Sequence, residues 1–327
     1  MAFLNIFCNY NIIFVAFPLL VKFRTTSLII FILIAFNTSC KAIVNFKAAQ
    51  RDSLNRPDIK RQRINGLTTG FLTGYSGSFI LLHRAWYSKE TKVPFHFYND
   101  SDHWNQMDKF GHFWSSFHQS RIGAGALKWA GLEEKQSLWI GGLFGIIAQA
   151  PIEIFDGYSS EYGASVSDIG ANFLGSALFI AQYQLWNEIR MMPKFSFHTT
   201  TYASQRPNTL GQGFHEQILK DYNGQTYWLS FDISSFFPSY SKYPKWLNLA
   251  TGYGSSEMMY GNPESNTLNG YSSYRKFYLS PDINLQHIKT RNKILKTTFY
   301  LLNIIKIPMP AIEFNSRKQI KFHPIYF

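Results

Sequence analysis

Cysteine is almost absent from this chain: among 327 residues there are only two, Cys8 and Cys40, and both lie near the N-terminus. The rest of the chain therefore cannot contain a disulfide framework or a cysteine-ligated zinc site. Charged residues are also scarce at 16 %, whereas aromatic residues make up 17 %. This combination is typical of membrane or interface proteins and argues against an ordinary cytosolic enzyme.

Acidic residues are the scarcer charged class, with 20 Asp and Glu against 32 Lys and Arg, so the formal net charge is +12. A cationic protein favours an anionic partner, either nucleic acid or a membrane surface. The sequence contains no nucleic-acid-binding motif. We therefore expect contact with a membrane, through anionic lipid or lipopolysaccharide, together with envelope protein partners. We expect no nucleic-acid partner.

A long apolar run is missing from residues 1–42, which instead have the parts of a secretory signal. Lys22 and Arg24 precede a nine-residue apolar run that is too short to span a bilayer. Cys40 follows in the position of the lipidated cysteine of a bacterial lipoprotein; lipidation of Cys40 and simple cleavage near Ala42 are equal alternatives. The prediction is an exported, membrane-associated protein of a bacterial cell envelope, in the outer membrane or periplasm.

Composition divides the remaining chain into a polar linker at 43–65, a helical domain at 66–190 and a strand-rich region at 191–327. The helical domain contains three uncharged runs with small residues at four-residue spacing, a pattern that favours closely packed helices. These runs are 66–82, 138–152 and 169–186. With a further helix at 105–129, they predict a membrane-associated bundle of about four helices.

In the C-terminal region apolar and polar residues alternate, which is typical of half-buried strands. The alternating segments are 227–234, 246–253 and 277–285. The segment 286–327 carries eight Lys or Arg and one acid, Glu313. The fold class is therefore α+β, with a helical bundle followed by a strand-rich, aromatic and basic half.

Pairs of polar residues, three or four positions apart, occur on three of the expected helices, so each pair lies on one helix face. The pairs are Asp108 with His112, Glu153 with Asp156, and Asp168 with Asn172. Polar groups in apolar helices are costly unless they satisfy one another, so we expect the three pairs to meet at one shared site. The candidate catalytic residues are Asp108, His112, Glu153, Asp156 and Asp168.

Three interpretations of this site are open. It is a hydrogen-bonded network in which Lys109 neutralises a carboxylate, or a divalent-metal site built from the same five residues, or an acid–base pair with His112 as the base. A nucleophile elbow, a phosphate loop and a cysteine nucleophile are all missing, so covalent catalysis has little support. Asp100 is expected to cap a helix. His118 is expected at the surface, because it lies off the Asp108–His112 face.

Three segments in this order resemble a known family. They are WNQMDKFGHF at 104–113, EIFDG at 153–157 and GASVSDIGANFLG at 163–175. Over residues 66–188 the chain resembles the YfiM-like family of predicted periplasmic lipoproteins, a domain of unknown function. The resemblance implies the location and the site positions but no reaction. It adds the supporting positions Lys109, Ser165, Asn172 and Gly175.

The motifs are also similar, more distantly, to those of VanZ-type membrane proteins. Gly157 and Tyr158 follow the acidic pair where a VanZ-type protein has Gln after Glu and a downstream Arg. That departure weakens any inference towards glycopeptide resistance.

Two functions remain open. One is a structural or assembly component of the envelope, in which the polar site stabilises the bundle. The other is a membrane-associated hydrolase or transferase that acts on a lipid or cell-wall precursor, with or without a divalent metal as cofactor.

Overall fold

The computed structural model describes residues 61–82, 91–236 and 243–327. Cys40, the expected signal segment and most of the expected linker lie outside the described residues.

Five longer helices occupy the first part of the described chain. They are α1 (Arg61–Leu82), α2 (Met107–Trp129), α3 (Glu134–Gly142), α4 (Phe144–Gly157) and α5 (Val166–Trp186). Helix α2 is central, because α3, α4 and α5 all pack against it. Its apolar contacts include Phe117, which is fully buried and meets the ring of Phe179 on α5 edge-on. Helix α1 begins inside the expected linker, because Ile64 is buried against Ala130 and Leu132.

Glycine allows α4 and α5 to approach α2 closely. A Cβ atom on Gly145 would lie 2.1 Å from the Ser116 carbonyl oxygen, and one on Gly175 would lie 2.3 Å from the Phe113 carbonyl oxygen. Both distances are far below van der Waals contact, so these helix pairs require glycine. The glycines of α1 behave differently, because nothing lies within 4 Å of such an atom at Gly66, Gly70 or Gly74. The expectation of close packing through these small residues is therefore wrong for α1 within the described part of the chain.

The second half forms one antiparallel sheet of six strands in sequence order. The strands are β1 (Met191–Phe197), β2 (Gln225–Phe231), β3 (Leu247–Ser256), β4 (Tyr274–Ile283), β5 (Met309–Asn315) and β6 (Ile320–Tyr326). The three alternating segments of the sequence correspond to β2, β3 and β4. Short helices connect the strands: α6 (Tyr202–Gln205), α7 (Pro207–Leu210), α8 (Phe214–Lys220), α9 (Ile233–Phe236), α10 (Pro263–Leu268) and α11 (Lys293–Leu302).

The sheet is inverted relative to an ordinary soluble sheet, because many of its inward-facing residues are polar. Trp228, Tyr278 and Tyr326 form part of the inner core, and around them lie buried polar and charged side chains. These include Lys194, Ser230, Asn248, Lys276, Asp282 and Glu313.

The opposite surface of β3 to β6 is apolar. Its side chains are between 38 % and 71 % exposed, and several face one another across neighbouring strands, as Phe277 faces Phe314 and Leu279 faces Ile312. We call this surface the apolar face; its residues are Leu249, Phe277, Leu279, Ile312, Phe314, Ile320 and Phe322. The alternation predicts the strands correctly, but apolar residues lie on the exposed side of them.

Candidate functional site

The Lys109 ammonium lies at the centre of three carboxylates. Its Nζ atom is 2.7 Å from Asp100 Oδ2, 2.7 Å from Asp108 Oδ2 and 3.1 Å from Asp168 Oδ1. The four side chains are little exposed, between 7 % and 16 %. Asp108 and Lys109 lie on the first turn of α2, and Asp168 lies on the first turn of α5. Asp100 lies in the loop that precedes α2. The ammonium therefore joins three separate parts of the chain.

A second group of donors adjoins the first and shares Asp168 with it. His112 Nδ1 on α2 is 3.2 Å from Asn172 Oδ1 on α5 and 3.8 Å from Glu153 Oε1 on α4. One ligand atom each from His112, Glu153 and Asp168 lie within 4.8 Å of one another. We call the two groups together the polar cluster; it comprises Asp100, Asp108, Lys109, His112, Glu153, Asp168 and Asn172.

Ser165 connects both groups at the start of α5. Its hydroxyl accepts a hydrogen bond from the Asp168 amide at 3.1 Å, which caps the helix. The same hydroxyl donates to Asp100 Oδ1 at 2.5 Å, and the Ser165 amide donates to Glu153 Oε2 at 3.0 Å. Ser165 therefore holds the N-terminal end of α5 against α4 and against the loop that carries Asp100.

Burial and repulsion between carboxylates raise the pKa values of two acids of the cluster, Glu153 and Asp108. Burial, followed by the charge of Asp168, raises the pKa of Glu153 to about 9. The same two causes raise the pKa of Asp108 to about 7, although Lys109 opposes them. Burial by itself would lower the pKa of Lys109, but the charges of Asp108 and Asp168 outweigh this effect and raise it. At neutral pH Lys109 is therefore charged, while Glu153 retains its proton.

The remaining expected site residues lie at the edge of the cluster. Asp156 is half-buried and belongs to neither group of donors, although its charge contributes to the raised pKa of Glu153. Gly175 is the contact point of α5 with α2 and carries no chemistry.

A row of serines continues the cluster along α2. Ser116 donates to the Asn172 carbonyl at 2.6 Å and lies 2.8 Å from the Ser176 hydroxyl. Ser120 lies 2.9 Å from the same hydroxyl and donates to the Gly142 carbonyl at 2.6 Å. The four-residue step from His112 to Ser116 and Ser120 places these side chains on one face of α2.

Two further residues differ from their expected roles. Asp100 joins the cluster rather than capping a helix, and its contact with Ser165 spans 65 positions of the sequence. His118 is buried, not exposed, because β1 covers it: its Nε2 atom is 2.7 Å from the Pro193 carbonyl oxygen. Burial, assisted by the charge of Arg121, lowers the pKa of His118 to about 3, so this imidazole is neutral.

The sheet positions the start of α2 through a strained turn. Trp104, Asn105 and Gln106 have φ angles of 49°, 48° and 66°, in the left-handed region that costs roughly 1–2 kcal/mol for each such residue. The Tyr253 hydroxyl on β3 donates to the Asn105 carbonyl at 2.6 Å, and Arg275 on β4 donates to Gln106 Oε1 at 2.9 Å. The two halves of the molecule therefore meet directly before Asp108.

The fold and the cluster define an α+β protein in which a buried lysine–carboxylate network joins helices. Residues 96–184 match the family described as predicted periplasmic lipoprotein (DUF2279). The matched range contains the whole polar cluster, whereas β1 to β6 lie outside it.

The match agrees with the resemblance to YfiM-like lipoproteins and gives no support to the VanZ-type resemblance. The family description is consistent with an exported protein of a bacterial cell envelope. No curated protein and no solved structure matches the chain.

Proposed function

We propose that this protein is a structural or assembly component of the bacterial cell envelope, in which the polar cluster stabilises the helical domain. The observation that supports this role is the Lys109 ammonium, which contacts carboxylates from the loop, α2 and α5. Buried polar groups that satisfy one another rigidify a core and specify its packing. The serine row extends the same kind of bonding between α2 and α5.

His112→Ala tests this role against catalysis. His112 contacts both Asn172 and Glu153, so its loss removes a contact that α2 makes with α5 and with α4. A structural cluster predicts a lower melting temperature and a lower steady-state protein level. The matched control is His215→Ala, because His215 is exposed on α8. A folded, normally abundant His112→Ala protein that loses envelope function would contradict the structural role.

That last outcome would support the second candidate, a hydrolase or transferase that acts on a lipid or cell-wall precursor. One observation favours it: Glu153 and Asp108 have raised pKa values, about 9 and 7, and Glu153 lies beside an imidazole. Perturbed acids next to a base are typical of acid–base catalysis, although structural ion-pair networks perturb pKa values as well.

We also propose that the C-terminal half contacts an anionic membrane surface. Soluble monomers rarely expose contiguous apolar patches as extended as the apolar face. Helix α11 adds exposed Ile294 and Leu295 next to exposed Lys293 and Lys296, a pattern typical of helices that lie in the membrane interface. The 24-residue stretch Glu134–Gly157 in the helical half is long and apolar enough, by length and composition, to cross a membrane.

Vesicle flotation tests the membrane contact. The wild-type protein should float with vesicles of phosphatidylcholine and anionic phosphatidylglycerol, and less with phosphatidylcholine alone. Phe314→Ser combined with Phe322→Ser should reduce flotation, because both side chains belong to the apolar face. Leu268→Ser is the matched control, because Leu268 is 87 % exposed but lies on α10. Equal flotation of the three proteins would contradict the proposal.

A further inference from the structure

The two groups of the polar cluster differ in how their negative charge is balanced. In the first group Lys109 Nζ contacts all three carboxylates. In the second group Glu153 has no lysine or arginine within ion-pair distance among the described residues, and its one ion-pair contact there is His112 at 3.8 Å. The second group therefore combines a buried carboxyl with nitrogen and oxygen donors and has no side-chain cation at its centre.

Glu153 also has an unsatisfied oxygen. Its side chain is only 6 % exposed, and Oε2 accepts the Ser165 amide, but buried Oε1 has no hydrogen-bond partner within the part of the chain that the structure describes. This oxygen faces His112 Nδ1. A buried polar atom without a partner is unfavourable, so the position favours a positively charged ligand.

The spacing of the donors suits one metal ion. Ligand atoms from His112, Glu153 and Asp168 lie within 4.8 Å of one another, and Asn172 Oδ1 is 3.2 Å from His112 Nδ1. Metal–ligand bonds of about 2.0–2.2 Å place two ligands of one ion up to roughly 4.4 Å apart. Shifts of a few tenths of an ångström would therefore bring the donors of His112, Glu153 and Asp168 into one coordination shell, and Asn172 Oδ1 lies beside the first of them. Metal binding requires that Nδ1 is unprotonated, with the remaining ring proton on Nε2, and that the ion displaces the proton of Glu153.

We propose that His112 Nδ1, the carboxylates of Glu153 and Asp168 and the Asn172 amide oxygen bind one divalent transition-metal ion. The inference rests on the proposed structural role, because the ion would link α2, α4 and α5. One imidazole with carboxylate and amide oxygens suits Zn²⁺ or Mn²⁺, whereas Ca²⁺ is usually bound by oxygen ligands alone. Asp108 and Asp156 are not ligands in this assignment.

Metal binding to the full-length protein tests the assignment. The purified protein is stripped with a chelator, and its melting temperature and calorimetric binding are measured with Zn²⁺ and Mn²⁺ separately. We expect one ion per chain and a higher melting temperature with at least one of the two metals. Glu153→Gln and His112→Asn should each weaken binding at least tenfold. Glu161→Gln, an exposed acidic control in the segment that follows α4, should bind like the wild type.

Several outcomes would overturn the assignment: no binding by the wild-type protein, unchanged binding by both site variants, or equal loss in Glu161→Gln, which would indicate adventitious binding. Far-ultraviolet circular dichroism shows whether each variant is folded, and the wild-type titration decides the question if a variant is not. Lys109→Met separates this proposal from the structural one. If the metal does not bind but Lys109→Met still destabilises the protein, only the metal assignment fails.

Discussion

The helical half and the sheet half each contain a buried cluster of charged side chains, and the ions in excess differ in sign between the two clusters. In the helices, carboxyl groups are in excess around a single lysine, Lys109. In the sheet, Lys194 and Lys306 share a single carboxylate, Asp282, at 2.7 Å and 3.9 Å. Burial raises the pKa values of Asp108 and Glu153 in the first cluster and lowers those of Lys194 and Lys306 in the second. The same desolvation therefore makes the two regions respond oppositely to pH, and each depends on one counter-ion.

Removal of the helical counter-ion should have the largest effect. Lys109→Met leaves three buried or half-buried carboxylates without their common cation, and breaking a buried pair in this way costs about 3–5 kcal/mol. Urea unfolding measures the loss in the free energy of unfolding. Lys128→Met is the control, because Lys128 forms an exposed ion pair with Glu134, worth about 0–1 kcal/mol. Equal effects of the two variants would contradict a special role for Lys109.

Removal of the counter-ion in the sheet should have a smaller effect. Asp282→Asn leaves Lys194 and Lys306 without their carboxylate, but burial already favours the neutral form of both lysines. We expect a loss of about 1–3 kcal/mol, since a lysine that releases its proton keeps its hydrogen bonds to neighbouring acceptors. Urea unfolding of Glu264→Gln, at an exposed position, provides the control. A loss in the free energy of unfolding larger than that of Lys109→Met would contradict the expected order of the two effects.

Glu153→Gln should change how stability depends on pH in the metal-free protein. The pKa of Glu153 rises from 4.5 to about 9 on folding, so the folded state binds more protons between these values. Its contribution to stability is fully present below pH 4.5 and is lost as pH rises towards 9. The melting temperature of the wild type relative to Glu153→Gln should therefore fall across this range. A constant difference would show that the carboxyl titrates normally.

Lys276→Met should reveal the opposite dependence in the sheet. Burial, partly offset by Glu313, lowers the pKa of Lys276 from 10.5 to about 8. The unfolded state then binds more protons between these values, so stability rises with pH over this interval. The melting temperature of the wild type relative to Lys276→Met should increase from pH 8 to 10.5. A decrease in this melting-temperature difference over that interval would contradict a lowered pKa of Lys276.

The junction between the halves should show the smallest effect. Tyr253→Phe removes the hydroxyl that bonds the Asn105 carbonyl in the strained turn, at a cost of about 0.5–1.5 kcal/mol. Hydrogen exchange of α2 should increase near Asp108 and remain unchanged near Trp129, at the other end of the helix. A uniform increase along α2 would show that the hydroxyl acts on global stability alone.

Local periodicity predicts the helices, three of the strands and most of the polar cluster, because residues three or four apart must share a helix face. The remaining membership of the polar cluster depends on tertiary contacts. The loop that carries Asp100 reaches α5 across 65 positions, and no local pattern reports such a contact. Asp156 shares a helix face with Glu153 but lies outside both groups of donors.

The inverted sheet illustrates a different limit of the sequence. Alternation identifies two faces but does not determine which one packs inwards. Here Lys276 and Asp282 are buried, while Phe277 and Leu279 on the same strand are exposed. Similarly, four-residue glycine spacing permits close helix packing in α1, but no described part of the chain lies against Gly66, Gly70 or Gly74.

A charge-rescue experiment tests the central claim, that the polar cluster stabilises the helical domain through the balance of its charges. The free energy of unfolding is measured for Lys109→Met and for Lys109→Met combined with Asp100→Asn. The second change removes a carboxylate whose pKa is lowered, because burial is outweighed by hydrogen bonds from Lys109 and Ser165, and it keeps the shape of the side chain. We expect the double variant to be more stable than the single one. A double variant that is equally or less stable would show that charge balance is not what Lys109 provides.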